Sequence, residues 1–478
     1  MAWSLHVTRR LAAQIAQAWN FGWGEAMQRT YGVSVTRTLV YRDPKKTEYY
    51  ADSDQHRRYV AGLYRLLANK KFLRSFHSQA QKILESILHQ VQKRFVTDFS
   101  TWSKAELLAL YRDFVLPSLE QFYIRMWTVF NLAEPLANVV RGELLRKVGS
   151  ETRADEYLLA LSCPLVPNDV MRERINLLKL AKQRKRLSKE QWRRKLERHC
   201  EAYQYIPMFD FDHEPYPLSH FIDELRRVTR PEQELKTLKR EFTLHQQKRS
   251  QVIRALRPGP RLKLLLQFMA ENVFLRDHRD MIREKLNLEL KKFYLEAGKR
   301  MGLSVADVAT LLDKEMIYYL GKGKKFPQAE VAKRQKAFVL IQKGKPARIY
   351  SGKAAVAKAK HELKLSHLKC GHEVRGVCGS PGQARGRVVV VLTNRDLPKV
   401  RPGDIMVIPM TRPDFVSVVR RAAAVVTDEG GVICHAAIIA RELGIPCVVA
   451  TKIGTKVFTE GELVLVDADK GVVAKVRH

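Results

Sequence analysis

The stretch that most restricts what this chain can fold into is residues 427–451, where an apolar run, a glycine pair, a histidine and a helical pattern follow one another without a break. Ala422–Val426 reads as a buried strand. The run ends at Gly430 and Gly431, where a missing Cβ permits positive φ and close backbone approach. His435 then opens a helical pattern of Ala436, Ala437, Ile438, Ile439, Ala440 and Leu443, which Gly444 and Pro446 close. A histidine is thereby expected at the N-terminus of a helix.

That placement suits one chemistry in particular. Free amides and the positive end of the helix dipole stabilise a phosphate dianion, and a glycine turn aims further amides at the same point. Imidazole is largely neutral near pH 7 and can attack a phosphoryl group. The expected species is a phosphohistidine at His435. Taken alone, a histidine at such a turn fits a capping or packing role equally well.

The longer pattern, Thr427-x-x-Gly430-Gly431-x-x-Cys434-His435-Ala436-Ala437-Ile438 followed by Ala440-Arg441-Glu442-Leu443-Gly444-Ile445-Pro446, resembles the signature of the swivelling phosphohistidine domain. Phosphoenolpyruvate synthase, pyruvate phosphate dikinase and rifampin phosphotransferase share that domain within the PEP-utilising enzyme family. Ser380-Pro381-Gly382, Gly403-Asp404 and Glu460-Gly461 stand in the family's order. The resemblance implies that His435 is the phosphorylated nucleophile. It also implies that Gly430 and Gly431 shape the phosphate-facing loop, and that Thr427 and Cys434 lie beside the phosphate. Arg441 and Glu442 match a family segment and are expected to fix the helix by ion pairing. Ile433 replaces a threonine whose hydroxyl regulates some dikinases, so that control is not implied here. Arg276 and Asp277 resemble a family Arg-Glu pair with Asp in place of Glu, and the opposite charges around them read as surface helix pairs.

At 478 residues the chain exceeds one ordinary core. The expected class is an α+β multidomain protein. Residues 1–250 form a basic helical region with a β-hairpin near 31–50, and 251–353 a helical connector with a short hairpin. A hinge linker at 354–372 leads to a C-terminal α/β swivelling phosphohistidine domain at 373–478. Thr8–Phe21 reads as the first helix, and the helices between Gln55 and Asn138 are broken at Pro117. The loop 206–217 crowds Asp210, Asp212, His213 and Glu214, but without the spacing of a calcium loop it reads as a binding-site wall rather than a metal site. Six scattered cysteines exclude a disulfide frame or zinc motif, and Cys370-x-His372 reads as linker. No signal-peptide core appears at the N-terminus. The apolar window Phe122–Val140 is interrupted by Arg125, Asn131 and Glu134, so no membrane is involved and a cytoplasmic location is expected.

Net charge is +35, and its distribution matters. Residues 371–478 hold 15 Lys and Arg against 11 Asp and Glu, a surplus of +4, which leaves +31 to the first 370 residues. The densest cluster is Arg184, Lys185, Arg186, Lys189, Arg193, Arg194, Lys195 and Arg198. Such a field attracts an anionic small molecule, an acidic protein or nucleic acid, although a solvated helix face accounts for it too. No glycine-rich ATP-grasp motif is recognised in residues 1–120, and the pyruvate-handling barrel that synthase and dikinase carry after the swivelling domain is not expected here. The expectation is a phosphotransferase component, half of an enzyme. No cofactor is expected on this chain, ATP and magnesium entering only through a separate ATP-grasp partner, and the acceptor is an anionic or small molecule. The alternative is a non-catalytic nucleic-acid- or protein-binding, regulatory protein that keeps the swivelling fold.

Overall fold

The computed structural model describes residues 3–8, 11–44, 47–343, 347–363, 372–392, 394–410, 415–432 and 434–476, with the backbone alone at Lys185, Asn394, Arg395, Val416, Ser417 and His435. Near the N-terminus, β1 (Trp3–Thr8), β2 (Arg37–Arg42) and β3 (Thr47–Asp52) are joined by β4 (Phe338–Lys343) and β5 (Arg348–Ser351) in one antiparallel sheet, ordered β1-β3-β2-β4-β5. The two hairpins expected in separate regions therefore share a sheet, through the pairing of β2 with β4. Alternation along the strands serves two cores. Val40, Tyr49 and Leu340 face the helical body, whereas Leu39, Val339 and Ile341 pack on Ala355 and Ala359. Those alanines belong to a helix, Gly352–Leu363, which occupies the start of the segment read as a hinge. The rest of that segment, 364–371, lies outside the described residues.

The helical body is built round two long helices, Leu116–Val148 and Pro260–Met301. No break occurs at Pro117: the helical run continues through it, with a π-turn at Tyr111–Val115 directly before it widening the backbone by one residue where the proline enters. Trp19, Trp23 and Trp127 are fully buried between the first helix, Ala13–Phe21, and Leu116–Val148, with Trp23 and Trp127 stacked at 4.9 Å and 16°. A Cβ at Gly22 would stand 3.1 Å from the Ile124 nitrogen, so glycine sets the spacing of these two helices.

Pro260–Met301 is 42 residues long, about 63 Å at 1.5 Å per residue. It buries charge as well as hydrocarbon. Arg276, Arg279, Arg283 and Glu284 are all under 9% exposed, not the surface pairs their spacing suggested. Arg279 donates to the Met126 carbonyl at 3.1 Å, while Arg283 pairs with Asp280 at 2.8 Å and lies over the Phe209 ring. No helix among the described residues is long and apolar enough to cross a membrane.

The C-terminal unit holds an eight-stranded mixed sheet made of β6 (Glu373–Arg375), β7 (Val377–Ser380), β8 (Gln383–Val390), β9 (Ile405–Ile408), β10 (Ala424–Thr427), β11 (Cys447–Val449), β12 (Leu463–Asp467) and β13 (Val472–Lys475). Its order is β6-β13-β12-β8-β9-β10-β11-β7, with β8 to β11 parallel and the flanking strands antiparallel. The parallel strands β9, β10 and β11 are buried along their whole length, as hydrophobic runs covered on both faces must be. The helix His435–Leu443 is the crossover from β10 to β11, and its Ala436, Ala437, Ile439 and Ala440 pack on Val425, Cys447 and Val449. That helix falls where the sequence placed it, β10 lies at Ala424–Thr427 where Ala422–Val426 reads as a strand, and β6 and β7 have no counterpart in the sequence reading.

Candidate phosphohistidine site

In an open parallel sheet, ligand sites lie outside the carboxyl ends of the strands. Residues 428–434 form that loop here, between the end of β10 at Thr427 and the first helical residue, His435. The loop is built from internal hydrogen bonds. Thr427 is fully buried, and its hydroxyl donates to the Glu429 carbonyl at 2.6 Å, so the group expected beside a phosphate is engaged within the turn. Asp428, 7% exposed, accepts from the Thr455 amide at 3.0 Å, from the Thr455 hydroxyl and from the Thr451 hydroxyl at 3.3 Å. Burial pushes its carboxyl up, and these donors pull it back.

The two glycines differ. Gly430 has φ +108°, and a Cβ there would meet Cys434 Sγ at 2.8 Å. Gly431 has no positive φ, and a Cβ on it would meet nothing within 4 Å. Its carbonyl accepts from the Cys434 amide at 2.8 Å. Cys434 is the N-cap residue: its backbone is extended, its thiol accepts from the Ala437 amide at 3.4 Å, and its carbonyl accepts from Ile438 at 3.0 Å. Buried against Val425 and Ile439 and engaged by the Ala437 amide, the thiol caps the helix. The Ala436 amide has no acceptor among the described residues, one of the orphan donors of a helix start. The His435 backbone is the first helical residue; its ring, like Ile433, lies outside what is described.

Two residues on the helix act differently from expectation. Arg441 has no carboxylate partner at ion-pair distance among the described residues. Its guanidinium donates to the Gly379 carbonyl at 2.5 Å, to the Val432 carbonyl at 2.8 Å and to the Ser162 hydroxyl at 3.3 Å. It thus ties the histidine loop to β7 and to the helical body. Glu442 is buried, and its Oε1 has no hydrogen-bond partner among the described residues. Burial, and then the neighbouring Asp277, push its carboxyl up to about 8 against the pull of Arg441 and Arg420. Asp277, on the long helix, is itself raised to about 7 by burial and by Asp280.

The helical body meets this unit at several points. Thr8 donates its amide to Glu429 Oε1 at 2.5 Å, Arg420 lies 3.5 Å from Glu234, and Val432 and Val170 each pack into the opposite core. Sequence reasoning missed the Thr8, Thr451, Thr455 and Asp428 contacts. The only trace of them was the acid pair Asp428-Glu429, too polar to follow a buried strand without partners. In the loop 206–217, Asp210 is fully buried and accepts from the Ala12 amide at 2.6 Å and the Phe211 amide at 2.8 Å. Burial and Asp212 raise it to about 7. It braces the start of the first helix. No three His, Cys, Asp or Glu side chains converge among the described residues as a metal ion requires.

Residues 400–471 match the family described as PEP-utilising enzyme, mobile domain. The C-terminal unit thus carries a mobile domain of that family. Among curated proteins it is similar to a probable phosphoenolpyruvate synthase of Archaeoglobus fulgidus, 52% identical over 104 residues, or 22% of this chain and 14% of that protein. The phosphoenolpyruvate synthase of Pyrococcus furiosus is 53% identical over 102 residues, 21% of this chain and 12% of that one. That of Aeropyrum pernix is 46% identical over 136 residues, 28% and 17% respectively. The chain thus spans less than a fifth of the length of these relatives.

Proposed function

We propose that this chain is a phosphotransferase component in which His435 carries a phosphoryl group from a separate ATP-grasp-type donor to an acceptor held by the basic helical body. The observation that carries the reading is the turn itself: Gly430 at positive φ, Cys434 as cap and His435 as first helical residue, at the carboxyl end of a parallel strand. In the first step a ring nitrogen of His435 forms a bond to phosphorus while the donor's P–O bond breaks, and the nucleotide leaves with the bridging oxygen. In the second, an acceptor oxygen attacks, the N–P bond breaks, and the acceptor's proton passes to solvent. Helix-start amides and the open side of Gly431 supply fixed positive dipoles and room for the anion. ATP and magnesium enter with the separate donor in this reading, and Asp428 is engaged by Thr451 and Thr455.

Incubation with candidate ATP-grasp proteins and γ-labelled ATP tests this. The expected result is an acid-labile label that His435→Ala abolishes. An acid-stable label, or one indifferent to that substitution, refutes the reading. A nucleic-acid-binding role is less well supported: in the densest basic segment Arg193 pairs with Glu197 at 2.8 Å and Arg194 with Glu190, which thins the cationic stripe. Salt-steep RNA binding that survives His435→Ala favours it instead.

A further inference from the structure

Where the end of the helix Pro231–Leu256, the start of Pro260–Met301 and the loop 164–167 come together, a groove of about 580 Å³ opens to solvent. That is the volume of a small-molecule site. Its floor is hydrocarbon: Ile253, Leu266, Ala270 and Phe274 line it, and Leu165 and Val166 on the rim stand 44% and 41% exposed. Apolar side chains of this size, gathered in a concavity and left in water, mark a surface built to be covered.

The charges at its mouth decide what covers it. Glu271, the carboxylate in the lining, is taken by His77 at 3.2 Å and Gln267 at 2.9 Å. Arg249 and Lys263 have no carboxylate at ion-pair distance among the described residues, and the Arg249 Nε is buried with no acceptor. Burial depresses the Arg249 guanidinium, which shows a cation held partly away from water without a counter-charge. An apolar trough ending in an uncompensated guanidinium is complementary to an amphiphile with a single anionic head.

We propose that this groove binds an amphiphilic carboxylate, its hydrocarbon part lying on Leu266 and Phe274 and its head accepting from Arg249, with Lys263 beside it. The site lies in the helical body and its occupancy needs no phosphohistidine, so it stands or falls apart from the phosphotransfer reading.

Titration calorimetry of the full chain with decanoate, and with decanol as the uncharged counterpart, tests the assignment. Saturable decanoate binding is expected. Arg249→Leu should weaken it by at least about tenfold, the scale of one charge-assisted hydrogen bond, while Arg249→Lys keeps most of it. Circular dichroism checks the fold of each variant, and Lys263→Met provides a second, milder reading of the charge. The proposal is overturned if decanoate does not saturate, if decanol binds as tightly, or if folded Arg249→Leu binds decanoate unchanged.

Discussion

Replacing Glu442 by Gln removes a buried ionisable carboxyl from the contact between the histidine helix and the long helix with little change in side-chain shape. The carboxyl rises from 4.5 to about 8 in the assembled chain because it is buried, because Asp277 faces it, and because Glu241 adds a further negative charge. Arg441 and Arg420 oppose this incompletely. The docked form therefore takes up a proton that the released form does not hold at neutral pH. A raised carboxyl leaves stability intact below 4.5, where both forms are protonated, and erodes it as pH climbs towards 8. At pH 7 the gap from the ordinary value corresponds to roughly 3 kcal/mol at about 1.4 kcal/mol per unit. Glu442→Gln escapes that penalty. Urea unfolding of wild type and variant should coincide near pH 4.5 and separate progressively above it, the variant being more stable by roughly 3 kcal/mol at pH 7 and roughly 4 kcal/mol at pH 8. Amide exchange in the helix His435–Leu443, compared at each pH, should slow in the variant over the same range. Parallel stability curves from pH 5 to pH 8 would refute the argument, since an exposed or well-paired glutamate behaves in that way.

The turn makes its own demands. Gly430→Ala forces a side chain into φ +108° and against Cys434 Sγ, which should cost about 1–3 kcal/mol in thermal unfolding; Gly431→Ala, with open space around it, should cost less than about 1 kcal/mol. Cys434→Ala should destabilise by about 1 kcal/mol through loss of the cap, whereas Cys434→Ser, a stronger capping residue, should match or exceed wild type in the same melt. Equal losses for Ala and Ser would show that the thiol matters through packing instead.

The part of the fold nearest the histidine was legible because its constraints are local. A buried run, a glycine pair and a 3.6-residue apolar period leave one arrangement, and the histidine helix lies at the residues read. The strand β1 was missed because six residues with a partner more than forty positions away carry no short-range signature. The shared sheet was missed for the same reason, since β2 and β4 reach it from opposite ends of the helical body. The helix at Gly352–Leu363, which overlaps the segment 354–372 read as a hinge linker, was not anticipated, because its seat on the sheet rests on two alanines, Ala355 and Ala359. The charged face of Pro260–Met301 misled most, because opposite charges at helical spacing look alike on a surface and in a core that satisfies them. At the site, Thr427 and Cys434 were assigned by motif position alone; only coordinates show that a hydroxyl and a thiol close the turn and cap the helix.

Arg441 reaches three partners, but two of them, the carbonyls of Gly379 and Val432, belong to the unit that carries the histidine. Only the Ser162 hydroxyl lies across the divide. Should the unit leave its berth, that single bond is surrendered while the strap beneath the loop stays fastened. The loop and helix around His435 would then travel as a finished part, already shaped before the unit moves.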